Sequence, residues 1–557
     1  MVAVAKPPGN ASSAPLSLTR AIDRLESESF DVAVVGGGIS GVAIAHEAAA
    51  RGLKVALLER SDFASGTTTA STKLIHGGVR YLESYEFGLV REALRERRIL
   101  LNLAPHLVNT VPFMVPHYDH DPVPRWMVDL GMVLYDLLSY DKNWKMRPDR
   151  RMPRWQSLSR SRMLELEPSL RAQGLTGGAM YYDGQVPSPA RLTVEFAKSA
   201  QAHGAAVANY CEVVGLMIEN GKAVGVEARD LRGARDLRIK AKVVVNAAGL
   251  WATKVMGFLR HEPTHKLAPS KGIHLITRPL MREHAAVFLT RAGRKLMVIP
   301  WLGKSLIGTT DVFYQGDIER IRATRDEIAK MIDEVNEVLP SAQLSEADID
   351  RAYAGCRPLI AKEGVSSLDL SRHWEIVDHA REGSAGVYSV IGGKLTTSRS
   401  VAEHVINRIE HHLGQKARSI TKGLPIGGGD IGPIADAVSR IEQGHGLPHE
   451  VANALVHAYG SCAEAILARY DEPSALERIR PDMPYIRAEV RQAVEGEMAF
   501  SVADVALRRT DLGNLGDKSA DGGKVIAQEM QRLLGWTDAE REKQLAEYVD
   551  ALAVDSL

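Results

Sequence analysis

Short apolar runs that end at glycine recur along the chain, and they predict buried parallel strands. Residues 32–35 (VAVV) run into a glycine-rich turn, residues 39–51 have the composition of a small-residue helix, and residues 54–58 (KVALL) form a second apolar run. Strand, helix and strand in this order make one βαβ unit. Residues 243–249 (VVVNAAG) repeat the strand-to-glycine pattern, which predicts a further strand of the same sheet.

Other segments alternate apolar and polar positions or are helical in composition. Strands of a mostly antiparallel second sheet are predicted at residues 271–277, 296–300 and 305–309. Residues 83–103 and 192–203 are helical in composition, and amphipathic helices such as 538–554 follow from residue 429 onward. The long interval between the βαβ unit and the strand at 243–249 predicts an insertion into the parallel-sheet fold.

Three glycines follow the first strand at G-x-G-x-x-G spacing. Gly36 permits a tight turn, Gly38 lets the backbone approach a pyrophosphate, and Gly41 lets the helix pack close to the strand. Glu59, at the end of the second strand, can accept both hydroxyls of an adenosine ribose. Glycine turns are common, but here the strand, helix, second strand and acid fall in register. The unit therefore predicts a site for NAD or FAD, and Glu59 does not distinguish the two.

The loop after this unit favours a flavin. Residues 65–71 read SGTTTAS, a run of small hydroxyl side chains where a flavin's second phosphate and ring would lie. The strand end at 248–249 returns to the same place, and the strand–glycine–helix segment at 390–397 offers a second helix N-terminus to the cofactor. The predicted cofactor contacts in these segments are Thr67, Thr68, Ser71, Ala248, Gly249, Gly393, Leu395 and Thr396.

Composition argues against several classes of protein. Lys plus Arg equals Asp plus Glu at 69 each in 557 residues, so net charge gives no reason to expect nucleic acid as the main partner. Cys211, Cys356 and Cys462 are far apart and form no C-x-x-C pair, and we expect neither a disulfide framework nor a metal site. Residues 1–17 lack the apolar core of a signal peptide, and no stretch approaches the length of a membrane span. A cytoplasmic protein fits these features.

One charged segment and one apolar segment bear on whether the protein surface contacts only water or also a membrane. The charges of residues 91–98 (REALRERR) predict a solvated helix face. Residues 126–140 (WMVDLGMVLYDLLSY) predict an apolar helix, and residues 142–162 are rich in Lys, Arg and Trp. Such a pair could dock on the cytoplasmic face of an anionic membrane, but a core helix beside a solvated loop is the favoured interpretation. Peripheral membrane association stays an alternative.

Eight motifs in a fixed order carry a resemblance to a known family. They are GGGISG, STKLIHGGVRYLE, NAAGLWA, SKGIHLI, GTTD, AGCRPL, SRHWEI and GGKLTT. Together they resemble the FAD-dependent glycerol-3-phosphate dehydrogenases, with the glycerophosphate oxidases close behind. The likeness is dense over residues 25–400 and continues through residues 497–499 and 505–510. It implies an α/β fold: a Rossmann-like FAD-binding domain, an inserted antiparallel-sheet substrate domain and a C-terminal all-helical domain.

The resemblance and the local composition imply three parts of the chain. Residues 1–28 are expected to form a disordered or helical tail, residues 29–415 the oxidoreductase region and residues 416–557 the helical domain. Within the oxidoreductase region the FAD-binding segments are 29–100, 175–265 and 350–415, and the substrate-domain segments are 101–174 and 266–349.

The resemblance also implies roles for single residues. The substrate is expected to meet Arg80, Tyr81, Arg357 and Arg372, and the catalytic residues to be His274, Arg357 and Lys394. Guanidinium forks suit a phosphate dianion, and imidazole can take the C2 hydroxyl proton while hydride leaves for the flavin. Lys394 can stabilise developing negative charge. His76 is a weaker rival base because it lies in the cofactor-proximal loop.

The resemblance therefore implies an enzyme that oxidises sn-glycerol 3-phosphate to dihydroxyacetone phosphate and passes the electrons from FAD to membrane quinone. A glycerol-3-phosphate oxidase that uses oxygen is the nearest alternative. A non-catalytic flavin-binding redox protein is a second alternative, and whether the chain forms a homodimer stays open.

Overall fold

The computed structural model describes residues 17–259, 261, 265–360 and 373–555. Within the predicted tail, residues 1–28, the structure has a short helix, Ile22–Ser27, and residues 1–16 lie outside the described residues. Arg372, predicted to bind substrate, also lies outside them.

The strands of the described residues are numbered in chain order. They are β1 Ser29–Val35, β2 Val55–Leu58, β3 Leu74–Ile75, β4 Asn109–Tyr118, β5 Gln156–Ser159, β6 Leu175–Gln185, β7 Ala206–Ala208, β8 Cys211–Glu219, β9 Lys222–Asp230, β10 Arg235–Asn246, β11 Leu267–Thr277, β12 Ala285–Leu289, β13 Lys295–Trp301, β14 Lys304–Gly308, β15 Val312–Phe313, β16 Ile349–Ile360, β17 Glu375–Asp378 and β18 Val387–Ile391.

The helices of the same residues are also numbered in chain order. They are α1 Ile22–Ser27, α2 Ile39–Ala50, α3 Phe87–Leu103, α4 Arg125–Leu138, α5 Arg160–Leu166, α6 Pro189–Ala202, α7 Ala252–Met256, α8 Arg325–Val338, α9 Ser398–Leu413, α10 Ile434–His445, α11 His449–Tyr459, α12 Ala463–Arg469, α13 Arg487–Glu497, α14 Val502–Asp504, α15 Asp521–Leu534 and α16 Asp538–Leu552.

The first sheet has the order β17-β18-β10-β1-β2-β7, and the antiparallel hairpin β8–β9 extends from β10. Strands β18, β10, β1, β2 and β7 are parallel. Both faces are buried, as the apolar run predicted: Val32 and Val34 face the core that contains α2, α6 and α9, whereas Ala33 and Val35 face the hairpin side.

The second sheet has the order β15-β11-β14-β13-β12-β4-β6-β3, with β16 beside β11 and β5 beside β6. It is antiparallel except where β4 and β12 pair in parallel. Strands β6 and β16 belong here, although the sequence assigned the segments at 175–265 and 350–415 to the FAD-binding part. Alternation predicts a strand but not the sheet in which the strand pairs. The predicted segments therefore group these two strands with the first sheet, whereas they pair in the second.

The C-terminal helices share a buried core with the second sheet. Val490, Met530 and Tyr548 lie in one cluster with Phe113 and Trp301. A buried ionic contact ties the C-terminal region to the loop that follows β2. Asp62 accepts hydrogen bonds from Arg508 Nε and Arg509 Nη1, both at 2.8 Å.

The charge run at residues 91–98 is not the solvated face that the sequence favoured. Glu96, Arg97 and Arg98 of α3 are buried. Arg97 lies 2.5 Å from Asp183, and Arg399 pairs with Glu96 at 2.6 Å. The prediction was wrong because these partners are 86 and 303 residues away in sequence.

Helix α4 is not the core helix that the sequence favoured. It buries Met132 and Tyr135, and its large exposed apolar side chains are Trp126, Met127, Leu130, Val133 and Leu137. Across the described part of the chain, no helix combines the length and apolar character that crossing a bilayer requires.

Candidate functional site

A cavity of about 1360 Å³ opens at the carboxyl ends of the parallel strands. Its wall includes the residues that follow β1, β2, β10 and β18, and the strands β11 and β16 of the second sheet close it from the other side. Ligands of open α/β sheets bind at this edge, where neighbouring strands lead into loops on opposite sides. All the predicted site residues that the structure describes line it, except Gly41.

The glycine turn after β1 is shaped for a pyrophosphate. Gly36 has φ +110°, and a Cβ there would lie 2.6 Å from the carbonyl oxygen of Ala247. A Cβ on Gly41 would lie 1.8 Å from the carbonyl oxygen of Gly36, so Gly41 lets α2 pack behind the turn. Gly38 is the N-cap of α2 without a side-chain cap, and the helix start lines the cavity. A helix start beside a cavity suits the phosphates of a dinucleotide, because its first backbone N–H groups have no partner within the helix.

Glu59 is held where β2 ends. One carboxylate oxygen accepts a hydrogen bond from Gly37 N at 2.6 Å and the other from Ser61 N at 2.8 Å. Burial raises the pKa of Glu59, and the two backbone N–H groups oppose that shift. A carboxylate has about four acceptor positions, so two remain toward the cavity for ribose hydroxyls.

The hydroxyl loop is fixed by its own side chains. Thr67 donates to the carbonyl oxygen of Cys356 at 2.7 Å, and Thr68 Oγ1 accepts from Ile39 N at 3.1 Å. Ser71 donates to the carbonyl oxygen of Thr68 at 3.0 Å. The loop therefore connects the start of α2 with β16 across the cavity.

The two later strand ends meet the same cavity. Ala248 and Gly249 follow β10, and Gly249 has φ +57°. After β18 comes Gly393, with φ +97°, and then the 3-10 turn Leu395–Thr397. Thr396 Oγ1 accepts from His76 N at 3.0 Å and donates to the carbonyl oxygen of His76 at 3.2 Å, which joins this turn to the motif loop.

The alternation predicted for the strand around His274 is confirmed. Gly272 and His274 of β11 line the cavity, whereas Ile273 and Leu275 are packed in the core beneath it. The His274 ring stacks on Tyr353 at 5.0 Å between centroids, and its Nε2 lies 2.9 Å from Thr72 Oγ1.

Two histidines face the cavity as neutral rings. Burial, with the nearby cations of Arg357 and Lys73, lowers the pKa of His274 well below its ordinary value. Burial also lowers the pKa of His76 to about 4. Each imidazole is therefore unprotonated at neutral pH, so a ring nitrogen lone pair is available.

The structure brings together the cations that the motifs predicted. Arg357 donates to Thr309 Oγ1 at 3.1 Å and to the carbonyl oxygen of Thr310 at 3.4 Å, and it lies 3.8 Å from Asp311. Lys394 Nζ lies 3.7 Å from the Tyr81 ring centroid. The guanidinium of Arg80 lies 5.5 Å from that centroid.

Some residues of the site were missed by the sequence. Tyr353 stacks on His274, and its hydroxyl donates to the carbonyl oxygen of Ser71 at 2.8 Å. Lys73 is buried in the cavity wall with Nζ 5.7 Å from the Tyr353 ring, and burial lowers the pKa of Lys73. Lys73 lies in the motif STKLIHGGVRYLE, so the sequence offered a signal for it. Tyr353 had no such signal, because it is brought opposite His274 by the pairing of β16 with β11.

Comparisons with known proteins agree with this architecture. Residues 31–405 match the model of the FAD dependent oxidoreductase family, and residues 419–541 match the C-terminal domain of alpha-glycerophosphate oxidase. The glycerol-3-phosphate dehydrogenase of Synechocystis sp. is 37% identical over 547 residues, which cover 95% of this chain and 97% of that relative. The aerobic glycerol-3-phosphate dehydrogenase of Bacillus subtilis is 33% identical over 89% of both chains.

A solved structure is similar along nearly the whole chain. The X-ray structure of the glycerol-3-phosphate dehydrogenase from Bacillus halodurans, complexed with FAD, has a TM-score of 0.78 and 29% identity to this chain. The match covers 96% of this chain and 97% of that chain. The predicted fold class and cofactor are thereby confirmed.

Proposed function

Because this chain belongs to the family of FAD-dependent glycerol-3-phosphate dehydrogenases, we propose that it oxidises sn-glycerol 3-phosphate to dihydroxyacetone phosphate and passes the electrons to a membrane quinone. The observation that carries the proposal is one cavity that gathers the cofactor strand ends, His274 and the cationic side chains of Arg80, Arg357 and Lys394. Gly36, Gly38 and Glu59 would hold the adenosine diphosphate half of FAD.

The cations select the substrate. Arg80, Arg357 and Lys394 line the cavity, and Asp311 balances Arg357 in part at 3.8 Å. A phosphate monoester carries close to two negative charges, and guanidinium groups bind its oxygens in pairs. We assign Arg80 and Arg357 to the phosphate, with Tyr81 beside them. Arg372 keeps its predicted substrate role as part of the same proposal.

His274 removes the proton of the C2 hydroxyl. The imidazole is neutral because its pKa is lowered by burial, and Thr72 and Tyr353 fix its orientation. FAD, when bound, would supply the two-electron oxidant that takes hydride from C2. Lys394 stabilises the negative charge that develops on the C2 oxygen as its proton is removed. A base and an oxidant on one bound substrate complete the alcohol-to-ketone step.

The part of the cavity wall that α4 contributes is apolar. Val128, Gly131 and Met132 of α4 line the cavity together with Phe113 and Val115, and such a wall suits a lipophilic acceptor. The opposite face of α4 exposes Leu130 at 57% and Leu137 at 65%. Helix α4 therefore presents apolar side chains to the cavity on one side and to the protein surface on the other.

The exposed face of α4 suits an anionic bilayer. Tyr140 and Trp144, directly after the helix, are exposed, and Lys145, Arg151 and Arg154 follow on the surface. Aromatic and aliphatic side chains flanked by lysine and arginine favour the interface of a membrane with negative headgroups. We propose that α4 seats the enzyme on the cytoplasmic surface of the membrane.

The acceptor assignment is tested with the purified FAD-loaded protein and glycerol 3-phosphate. We expect fast turnover with a soluble quinone analogue and slow turnover with oxygen. Faster turnover with oxygen, together with stoichiometric peroxide, would assign the chain as an oxidase instead.

Membrane seating is tested by flotation with vesicles that contain an anionic phospholipid. Leu130→Glu should abolish vesicle binding and leave flavin reduction by glycerol 3-phosphate unchanged. Val549→Glu is the matched control, because Val549 is also an exposed apolar residue but lies on the C-terminal helix α16. This variant should bind vesicles as the parent protein does. Equal vesicle binding by all three proteins would reject the α4 assignment.

A further inference from the structure

Asp183 collects hydrogen bonds from three different parts of the chain. It lies on β6 in the cavity wall and is 2% exposed. Its carboxylate accepts from Tyr135 Oη of α4 at 2.7 Å, from Arg97 Nη1 of α3 at 2.5 Å, and from the backbone N–H of Gly77 at 3.3 Å. The chemistry proposed above gives Asp183 no role.

The Gly77 contact matters because Gly77 leads directly into the turn that carries two of the substrate residues. Gly78 turns the chain with φ +77°, and the 3-10 turn Val79–Leu82 carries Arg80 and Tyr81 into the cavity. A Cβ on Gly77 would lie 2.4 Å from Tyr135 Oη and 2.4 Å from Leu94 Cδ2. The loop is therefore clamped between α3 and α4 just before this substrate turn.

The carboxylate of Asp183 is neutralised and hydrogen-bonded within the protein. Arg97 is 1% exposed, and its Nη1 also donates to the carbonyl oxygen of Tyr182 at 2.9 Å. A buried ion pair is costly to desolvate unless further donors satisfy the carboxylate, and here the tyrosine and the backbone do so. Burial and Asp183 raise the pKa of Tyr135 well above its ordinary value, so its hydroxyl keeps its proton and donates.

We propose that Tyr135 and Asp183 are positioning residues that hold the loop at Gly77 so that Arg80 and Tyr81 meet the substrate. The inference rests on the proposed substrate role of Arg80. Neither residue needs to touch substrate, because its effect passes through the backbone of Gly77. Tyr135 also belongs to the helix whose other face is exposed and apolar, so the substrate turn is supported directly by that helix.

The test is Tyr135→Phe in the FAD-loaded enzyme, with anaerobic single-turnover reduction of the flavin by glycerol 3-phosphate. If the released loop is substrate-competent only part of the time, the half-saturating concentration rises by the reciprocal of that fraction. We expect a rise of about tenfold or more, because the lost hydrogen bond is to a charged group. The reduction rate at saturating substrate should change by less than about twofold, because the base and the cofactor contacts are untouched.

A matched control separates positioning from general stability. Tyr548 of α16 donates to Asp517 Oδ2 at 3.0 Å, and Asp517 also accepts from Arg480 and from the N–H groups of Gly522 and Gly523. Tyr548→Phe removes the same kind of buried bond on α16, a helix that contributes no residue to the cavity wall. It should lower the unfolding temperature much as Tyr135→Phe does, with no change in half-saturating concentration.

A further variant distinguishes failure of this inference from failure of the proposed substrate site. Arg80→Ala should raise the half-saturating concentration at least as much as Tyr135→Phe. If Arg80→Ala has no effect, Arg80 does not bind substrate and the inference falls with that assignment. If Arg80→Ala raises it and Tyr135→Phe does not, or if Tyr548→Phe raises it equally, the positioning role is wrong.

Discussion

Replacing Glu59 with glutamine tests whether the end of β2 binds the cofactor's ribose. In the structure both carboxylate oxygens accept backbone N–H groups, from Gly37 at 2.6 Å and Ser61 at 2.8 Å. Glutamine keeps one acceptor oxygen and turns its amide NH₂ toward the other N–H, so one bond is lost. The ribose hydroxyls also lose a charged acceptor.

The size of the effect follows from these contacts. A hydrogen bond to a charged group is worth about 1.5–3 kcal/mol, which corresponds to a roughly 10- to 150-fold change in an equilibrium constant. We expect FAD to dissociate from Glu59→Gln more readily by about this factor. The apoprotein should also lose about 1–3 kcal/mol of unfolding free energy, because one buried N–H loses its partner.

The assay pairs a flavin titration of the apoprotein with denaturant unfolding of the same sample. The matched control is Glu167→Gln. Glu167 is fully buried at the C-terminal end of α5 and accepts from the backbone N–H groups of Arg282 at 3.1 Å and of Glu283 and His284 at 3.2 Å. It should lose comparable stability and keep the parent affinity for FAD. Unchanged affinity in Glu59→Gln, or equal weakening in both variants, would refute the ribose assignment.

Three further predictions concern the substrate, the base and acid stability. Arg357→Ala should reduce turnover of glycerol 3-phosphate by at least about 10-fold, since one charged hydrogen bond to phosphate is worth ~1.5–3 kcal/mol. The residual turnover of unphosphorylated glycerol should be unchanged. Equal proportional losses with both substrates would mean that Arg357 supports the fold and does not bind phosphate. His274→Ala should keep its FAD and substrate affinity but reduce its flavin about 10² to 10⁴ times more slowly in anaerobic single turnovers. A parent rate in that variant would leave His76 as the base. Buried His46 and His106 each have a pKa lowered to about 3 by burial, so the unfolded chain binds more protons and stability falls as pH drops below about 6.5, by roughly 1.4 kcal/mol per pH unit for each ring. Denaturant unfolding of His106→Gln should show a shallower pH dependence between about pH 7 and pH 5, and an unchanged slope would contradict this.

Local patterns in the sequence predicted the parts of the site that depend on neighbouring residues. The turn at Gly36, the acid at Glu59 and the cavity-facing position of His274 follow from spacing within a few residues. Each is set by a strand or helix period or by glycine geometry, and those are properties of a short segment.

Long-range partners could not be predicted in the same way. The sequence predicted a solvated Arg97, but the fold pairs Arg97 with Asp183, which lies on a distant strand, β6. The apolar stripe of α4 looked like core, but no element covers it among the described residues. Tyr353 reaches His274 only because β16 pairs with β11 in one register. Pairing, burial and sheet membership depend on the whole fold, so single-segment periodicity does not determine them.

Anaerobic mixing of the FAD-loaded protein with glycerol 3-phosphate is the most direct measurement of the proposed reaction. The visible absorption of the bound flavin should bleach in a single turnover, and one equivalent of dihydroxyacetone phosphate should form for each flavin reduced. Unphosphorylated glycerol at the same concentration should leave the flavin oxidised. A flavin that stays oxidised with both compounds, in a protein that retains its FAD, would contradict the dehydrogenase assignment and leave a flavin-binding protein without this activity.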